Sequence, residues 1–473
     1  MYGFMTSLKI DRLSRMIAIK HITWIGALWA ILGCLRADPQ PPNIPPPEPP
    51  PPKERISLSF TQLSRLRAEG NKVVNTQNEE VVLRAVGLGY WLLQEGYMLN
   101  PHDQSKAATQ WQMKRNYYNQ GLTEEQVETF YRQWRDNFIT KKDIDYIASL
   151  GFNSVRLPMH YDLFLTPEQR ALRHSVIRNP ATLDTYTHAL AAWNDTGDLF
   201  TKDDLDGFIL IDRLLDWCAA NNLYVVLDLH AAPGGQGTDI NIADIFEPNY
   251  LWLGRDTQGR PVYQDVTVAL WKAISARYRD DDRIAWYDLI NEPNNVPQNA
   301  WIQSIHERII NVIRASGDTH LIMVEGNGWG NNYNGLLPGD FTDASNLIYS
   351  AHRYWIPEAD DLQQDPDPNQ INRIRNLVNF RDRLNVPVWV GETGENTNEW
   401  LRQNIRKLED NNIGWCHWPL KRHDTNPNAA LMRIPGNFPT DGADAMDVVL
   451  ESIRFENCII NPGAVAAVAP IHY

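Results

Sequence analysis

Ile284-Ala285-Trp286-Tyr287-Asp288-Leu289-Ile290-Asn291-Glu292-Pro293 is the stretch from which the rest of the chain is read. Its first seven residues are apolar or aromatic and interrupted by one acid, the pattern of a strand buried on both faces. Pro293 ends it, because proline offers no donor to a sheet ladder and pushes Glu292 out of helical geometry. A carboxylate is thus presented where a strand gives out. Further on, Val386-Pro387-Val388-Trp389-Val390-Gly391-Glu392 repeats the arrangement ahead of Thr393-Gly394. Two glutamates at two strand ends suit glycosidic bond cleavage, in which one carboxyl starts protonated and the other ionised.

Outward from these two strands, six more runs have the same character. They are Leu83–Gly89, Asn153–Pro158, Leu223–His230, His320–Gly326, Leu347–His352 and Ile413–Trp418. Amphipathic segments lie between them: Glu124–Leu150, Leu205–Asn221, Ala300–Ala315, Ile371–Leu384 and Thr397–Asn411. Buried strands alternating with helices indicate a parallel sheet, and eight such units indicate an α/β fold, the (β/α)8 TIM barrel. A doubly wound sheet is the rival but rarely needs eight units. The runs Ile56–Phe60, Lys72–Asn75 and Glu79–Leu83 read as an N-terminal β-hairpin leading into the first barrel strand. Long connections follow the first three strands, at about 92–122, 160–204 and 231–262. They leave the carboxyl ends of the strands, the face where barrels hold their active sites.

The catalytic domain is expected over residues 56–473. Before it, Lys9, Arg12, Arg15 and Lys20 precede an apolar run from Ile22 to Leu32, so residues 1–33 read as a signal peptide. That run ends at Ile31-Leu32-Gly33-Cys34, which resembles a bacterial lipobox with Cys34 as the lipidated residue; ordinary cleavage near Ala37 is the alternative. Residues 34–55 form a proline-rich linker that would hold a domain off a surface. The expected location is therefore outside the cell membrane, anchored by Cys34 or else periplasmic or secreted. Losing residues 1–33 removes a net charge of +3 and takes the chain from −14 to −17. Such acidity disfavours a nucleic-acid partner and leaves a neutral or cationic substrate. Cys218, Cys416 and Cys458 make neither a disulfide framework nor a metal spacing, so no metal or cofactor is expected. The chain is expected to act as a monomer.

Polar side chains stand at or just after most strand ends: Arg156, His230, Asn291, Glu292, His352, Tyr354, Glu392 and Trp418. With these in place the chain resembles glycoside hydrolase family 5, the cellulase family of retaining β-glycosidases, over about residues 57–455. Leu289-Ile290-Asn291-Glu292-Pro293 is similar to the family's acid/base signature and Val390-Gly391-Glu392 to its nucleophile strand. Arg156, His230, His352-x-Tyr354 and Trp418 match its arginine, histidine, His-x-Tyr and tryptophan. Thr393 replaces the usual phenylalanine. Glu392-Thr393-Gly394-Glu395-Asn396 and Ala231-Ala232-Pro233-Gly234-Gly235-Gln236 resemble the β-glucan-active branch.

The resemblance implies Glu292 as acid/base and Glu392 as nucleophile. It implies Arg156, Asn291, His230, His352, Tyr354 and Trp418 as binding and orienting groups for a β-linked oligo- or polysaccharide. Trp91, Trp329, Trp355 and Trp418 follow strand ends, where aromatic faces can stack on pyranose rings. Trp91 and Trp329 are accordingly expected in glycan subsites. Glu325 reads as a possible hydroxyl ligand. Mannanase, exo-glucosidase or glycolipid glycosidase activity stays open, as does a catalytically silent glycan-binding barrel. A metal-dependent barrel hydrolase fits poorly, since Val86-Gly87-Leu88-Gly89 supplies no His-x-His.

Overall fold

The computed structural model describes residues 62–100, 104–244, 249–423, 430–441 and 444–472. The signal segment, Cys34, the linker and the expected strand Ile56–Phe60 lie outside these. Among the described residues no helix is long and apolar enough to cross a membrane.

Two short strands, β1 (Arg67–Glu69) and β2 (Lys72–Val74), pair antiparallel across Gly70-Asn71, and Gly70 takes φ +59° to make the turn. The hairpin therefore lies between Arg67 and Val74. Of the runs proposed for it, Lys72–Asn75 supplies one arm, while Glu79–Leu83 contributes only an isolated bridge from Glu80 to Val74. Eight strands then close a parallel barrel: β3 (Arg84–Gly87), β4 (Ser154–His160), β5 (Tyr224–Ala231), β6 (Ile284–Asp288), β7 (Leu321–Val324), β8 (Leu347–Arg353), β9 (Val388–Gly394) and β10 (Gly414–Trp418). β10 pairs with both β9 and β3, so no barrel edge is left open.

The barrel interior is graded along its axis. Its lower part is filled by Ala85, Val226, Trp286, Met323, Trp389 and Cys416, and the hairpin region adds Leu66, Val73 and Leu83 to the same cluster. Trp286 and Trp389 meet edge to face at 5.0 Å and 79°. Toward the carboxyl ends of the strands the filling turns ionic, with Arg156, Asp228 and Asp288 fully buried. Outside, a single apolar layer joins barrel and helices.

The helices follow the expected segments with one correction. Glu124–Leu150 is two helices, Glu124–Phe138 and Lys141–Ser149. Thr140 breaks it: its backbone N–H donates to Asp143 Oδ2 at 2.8 Å, a capping box that starts a new helix instead of continuing the old one. The long second connection is structured, carrying helices Pro167–Arg178 and Leu183–Thr196.

After β10 the chain is pinned by Lys421. Its ammonium lies 2.6 Å from Asp143 Oδ1, both side chains being fully buried, and donates to the carbonyls of Phe138 and Ile453 at 2.7 and 3.2 Å. Lys421→Met would leave Asp143 as an uncompensated buried charge, at a cost of about 3–5 kcal/mol. The expected result is a lowered denaturant midpoint at constant m-value. A loss under about 1 kcal/mol would mean that water replaces the ammonium.

Candidate active site

Arg156 rises from β4 into the barrel and organises its upper end. Its Nη1 donates to Glu392 Oε1 at 2.5 Å, while Nη2 and Nε donate to Asp288 Oδ2 at 2.7 and 3.1 Å. Nη2 also donates to Asn291 Oδ1 at 2.8 Å and lies 3.2 Å from Asp228 Oδ2 and 3.4 Å from Glu325 Oε1. One guanidinium thus serves four carboxylates. Aligned parallel strands make this possible, since register places Asp228 of β5 beside Asp288 of β6 and His352 of β8 beside Glu392 of β9.

Glu292 leaves the end of β6 with φ +46°, a left-handed backbone that a non-glycine residue adopts only when its surroundings impose it. The clamp is visible on both sides of the residue. Glu325 Oε2 accepts its backbone N–H at 2.7 Å, and Asn294 Nδ2 donates to its carbonyl at 3.0 Å. Asn294 Oδ1 in turn accepts from the backbone N–H of Thr238 at 2.8 Å, tying in the glycine-rich third connection. The Glu292 side chain meets His352 Nδ1 at 2.6 Å.

Ligand atoms of Glu292, His352 and Glu392 all lie within 4.8 Å of one another. Glu392 is further fixed by Tyr354, whose hydroxyl donates to Oε2 at 3.0 Å. The two glutamates titrate in opposite directions. Burial raises the pKa of Glu292, and the charge of Glu392 adds to this, outweighing His352. Burial pushes Glu392 up as well, but His352, Arg156 and His230 overcome it and hold its carboxyl below the usual range. His352 is held well above the ordinary histidine value, since Glu325, Glu392 and Glu292 outweigh its burial.

His230 sits on the other side of Glu392. Its Nδ1 lies 2.7 Å from Asp228 Oδ2, and its ring stacks on Trp418 at 5.3 Å and 7°. Burial opposes its charge, but Asp228 and Glu95 push it up to about 10. Trp418 lies flat over Gly87 and Gly89, where an added Cβ would come within 2.6 and 2.5 Å of its ring.

The fold brings together Arg156, His230, Asn291, Glu292, His352, Tyr354, Glu392 and Trp418. Trp329 is 43% exposed, and its N–H donates to the Pro293 carbonyl at 3.1 Å, at the rim next to Glu292. Trp91 does not reach the cleft. It is 1% exposed, and its indole N–H donates to the Arg135 carbonyl at 2.7 Å, which turns the ring into the helix layer. Glu325 is fully buried and bound to backbone, guanidinium and imidazole, so it is scaffold instead of a free hydroxyl ligand.

Asp228, Asp288 and Glu95 were not singled out from the sequence. The first two carried a signal, an acid interrupting an apolar strand. Glu95 carried none: it sits in the first connection, and only the fold places its Oε1 3.4 Å from His230 Nε2. Two triads have the donor types a metal takes, Glu292–His352–Glu392 and Glu124–Glu128–His174. Protein cations already stand against both, Arg156 on Glu392 and Arg178 on Glu124.

The family model for cellulase (glycosyl hydrolase family 5) matches residues 115–424, well over half of the chain and every strand end just described except that of β3. The chain belongs to glycosyl hydrolase family 5. Among its curated relatives is a beta-xylosidase of Phanerodontia chrysosporium, 27% identical over 342 residues. That alignment covers 70% of this chain and 62% of the xylosidase. Endoglucanase C of Acetivibrio thermocellus is 24% identical over 348 residues, covering 63% of this chain and 89% of the relative. A probable glucan 1,3-beta-glucosidase A of Aspergillus niger is 23% identical over 343 residues, covering 71% and 70%.

For a family 5 site built this way, Arg156 should set the acidic limit of activity. Arg156→Lys keeps one positive charge but loses the fork that reaches Glu392 and Asp288 together. The pKa of Glu392 then rises, and the acidic limb of the kcat/KM–pH profile moves to higher pH. An unmoved acidic limb would show that Arg156 does not hold Glu392 ionised.

Proposed function

We propose that the protein hydrolyses β-glucosidic bonds in β-glucan or cellulose-type glycans with retention of configuration. Glu392 is the nucleophile and Glu292 the acid/base. One feature carries the reading: two buried carboxylates with oxygens within 4.8 Å of each other are shifted in opposite directions by their surroundings, Glu292 up and Glu392 down. Retaining pairs stand about 5–5.5 Å apart, against roughly 6.5–9.5 Å where a water must fit between acid and base. Glu392, ionised beside Arg156, attacks the anomeric carbon. Glu292 gives its proton to the leaving oxygen as that bond breaks. The glycosyl-enzyme neutralises Glu392, and the charge that helped burial keep Glu292 protonated disappears. The pKa of Glu292 then falls, and it takes a proton from the incoming water. Asn291, held by Arg156, is placed to donate to the sugar 2-hydroxyl, and His230 to bond a neighbouring hydroxyl.

The β-glucan preference rests on the relatives that are endoglucanases and glucosidases and on the Glu392–Asn396 run. The xylosidase among the relatives keeps a pentose substrate within the class to be tested. A catalytically silent barrel would have no use for a proton-donor and nucleophile pair held in opposite states. Export and attachment through Cys34 belong to the same reading, supported by the charged start, the apolar run and the proline-rich linker. Mass spectrometry of membrane-extracted protein should find an acylated N-terminal Cys34, whereas a free N-terminus near Asp38 would indicate ordinary secretion.

The two glutamates are separated by what rescues them. Glu392→Gly removes the nucleophile and opens a void, so azide attacks directly and gives an α-glycosyl azide from an activated β-aryl glycoside. Glu292→Ala keeps the nucleophile, so azide intercepts the glycosyl-enzyme and gives the β-glycosyl azide. Proton NMR of the two products distinguishes them. Interchanged products would reverse the assignment, and full activity in both variants would place the chemistry elsewhere.

A further inference from the structure

Glu325 closes β7, buried among groups that would each be altered by its loss. Its Oε2 accepts the backbone N–H of Glu292 at 2.7 Å. Its Oε1 lies 3.1 Å from His352 Nε2 and 3.4 Å from Arg156 Nη2. The other nitrogen of the same histidine ring, Nδ1, meets Glu292 Oε1 at 2.6 Å. One carboxylate therefore acts on Glu292 twice, by a hydrogen bond to its backbone and, through its charge beside an imidazole whose Nε2 makes no hydrogen bond, at its side chain. It also fixes the rim: Gly330 passes so close that an added Cβ would lie 2.7 Å from Glu325 Oε2, and Gly330 belongs to the loop that carries Trp329.

We propose that Glu325 is the positioning residue of the acid/base in the reaction assigned above, holding the left-handed backbone of Glu292 and steering the proton of His352. The backbone part follows from geometry. A left-handed backbone is costly for a glutamate, and beyond the end of β6 its N–H has no strand partner to donate to. Glu325 supplies the acceptor that makes that turn the low-energy one. The proton part follows from the chain Glu325–His352–Glu292. A carboxylate behind Nε2 favours the doubly protonated ring, whose Nδ1–H faces Glu292. The ring moderates the proton affinity that burial gives Glu292, so the acid can still release its proton to a leaving group.

The charged and titratable groups around this pair come from five strands. Asp288 and Glu292 face it from the β6 side, Glu392 from β9, Arg156 from β4 and Asp228 from β5, with Tyr354 beyond β8. Asp288 is itself raised by burial and by Glu325, against Arg156. Replacing Glu325 by a neutral residue removes one of the three carboxylates that favour the proton of His352, and so weakens the imidazolium. Glu292 then loses part of the positive charge at 2.6 Å that favours its ionised form. The direct loss of Glu325's own charge acts the other way, but the imidazole stands between the two carboxylates, so the nearer change decides the sign. The pKa of Glu292 rises.

The experiment uses Glu325→Gln and Glu325→Asp in the full chain, each normalised to the number of nucleophiles trapped by a 2-deoxy-2-fluoro glycoside. Glutamine keeps an acceptor for the Glu292 N–H and lacks the charge; aspartate keeps the charge on a shorter arm. Two substrates are compared, a dinitrophenyl glycoside that leaves without protonation and an oligosaccharide that needs the acid. In Glu325→Gln the oligosaccharide should lose about 10²-fold in kcat/KM with the basic limb shifted to higher pH, while the dinitrophenyl substrate changes by less than threefold. In Glu325→Asp the basic limb should stay near that of the parent and the oligosaccharide rate should fall.

Equal losses on both substrates, or an unmoved basic limb in Glu325→Gln, would overturn the proposal and leave Glu325 a structural carboxylate. Should Glu325→Gln trap no nucleophile, the decision passes to Glu325→Asp. There, a selective loss on the oligosaccharide supports positioning and an equal loss refutes it. Failure of the retaining mechanism itself would show separately, as no trapping in the parent enzyme.

Discussion

The upper half of the barrel depends on a single cation. Arg156 is fully buried, and Asp228, Asp288, Glu325 and Glu392 all approach it within 3.4 Å. Taking one carboxylate out of water is costly, and taking four is tolerable only where each is paired or protonated. A planar guanidinium presents five donors in a fixed fork, against three on a lysine ammonium, and so can serve more carboxylates at once. Even so, one positive charge does not balance four negative ones. The acids around them shift His230 and His352 toward the protonated form, and burial with Glu325 shifts Asp288 toward its neutral form. The shortage of fixed cations thus favours protons on the groups around Arg156.

That shortage separates the two glutamates. Both are buried, and burial alone would raise both. Glu392 touches Arg156 and lies near His230 and His352, so fixed and proton-borne positive charge prevails there. The Glu292 side chain bonds His352, while the guanidinium of Arg156 reaches Glu392 instead. The opposite shifts of two identical side chains thus come from which of them the guanidinium bonds, not from distance along the ring of strands. The apolar lower barrel contributes by refusing water: with Trp286 and Trp389 closing the floor, the charges above can be solvated only by one another or by what enters from the open end.

Sequence made the barrel legible because strands buried on both faces leave long apolar runs, and eight of them fell at the right spacing. The way the two strands end made Glu292 and Glu392 legible too, through Pro293 and through Gly391. Other features depended on contacts distant in the chain. The hairpin shifted because Gly70-Asn71 makes the turn, with no apolar alternation to advertise it. The break at Thr140 is a local signal, a threonine followed three residues later by an acid, and was overridden by the apolar period running through it. Trp91 and Trp418 look alike in sequence, each following a barrel strand. What separates them is the partner each meets, a carbonyl in the helix layer for Trp91 and an imidazole at the site for Trp418. Glu95 had no signal, since no local pattern tells where a long connection will place one side chain.

Exposure gives the rim its direction. Among the described residues, Trp329 and Trp355 are the tryptophans left most open to water, at 43% and 61%, and both have left-handed backbones, with φ +56° and +53°. An exposed indole forgoes burial worth about 1.5–3 kcal/mol for a large apolar side chain, and a left-handed non-glycine backbone adds about 1–2 kcal/mol. Neither cost is recovered inside the protein. Trp329 is bound through its backbone to the Pro293 carbonyl, on the acid's side, and Trp355 follows the tyrosine that bonds Glu392. The opposite flank of Glu392 is built from the buried groups His230, Trp418 and Glu95. Flat apolar faces on one side and buried hydrogen-bonding groups on the other suit a ligand whose reacting ring is gripped by its hydroxyls and whose leaving portion is held by stacking.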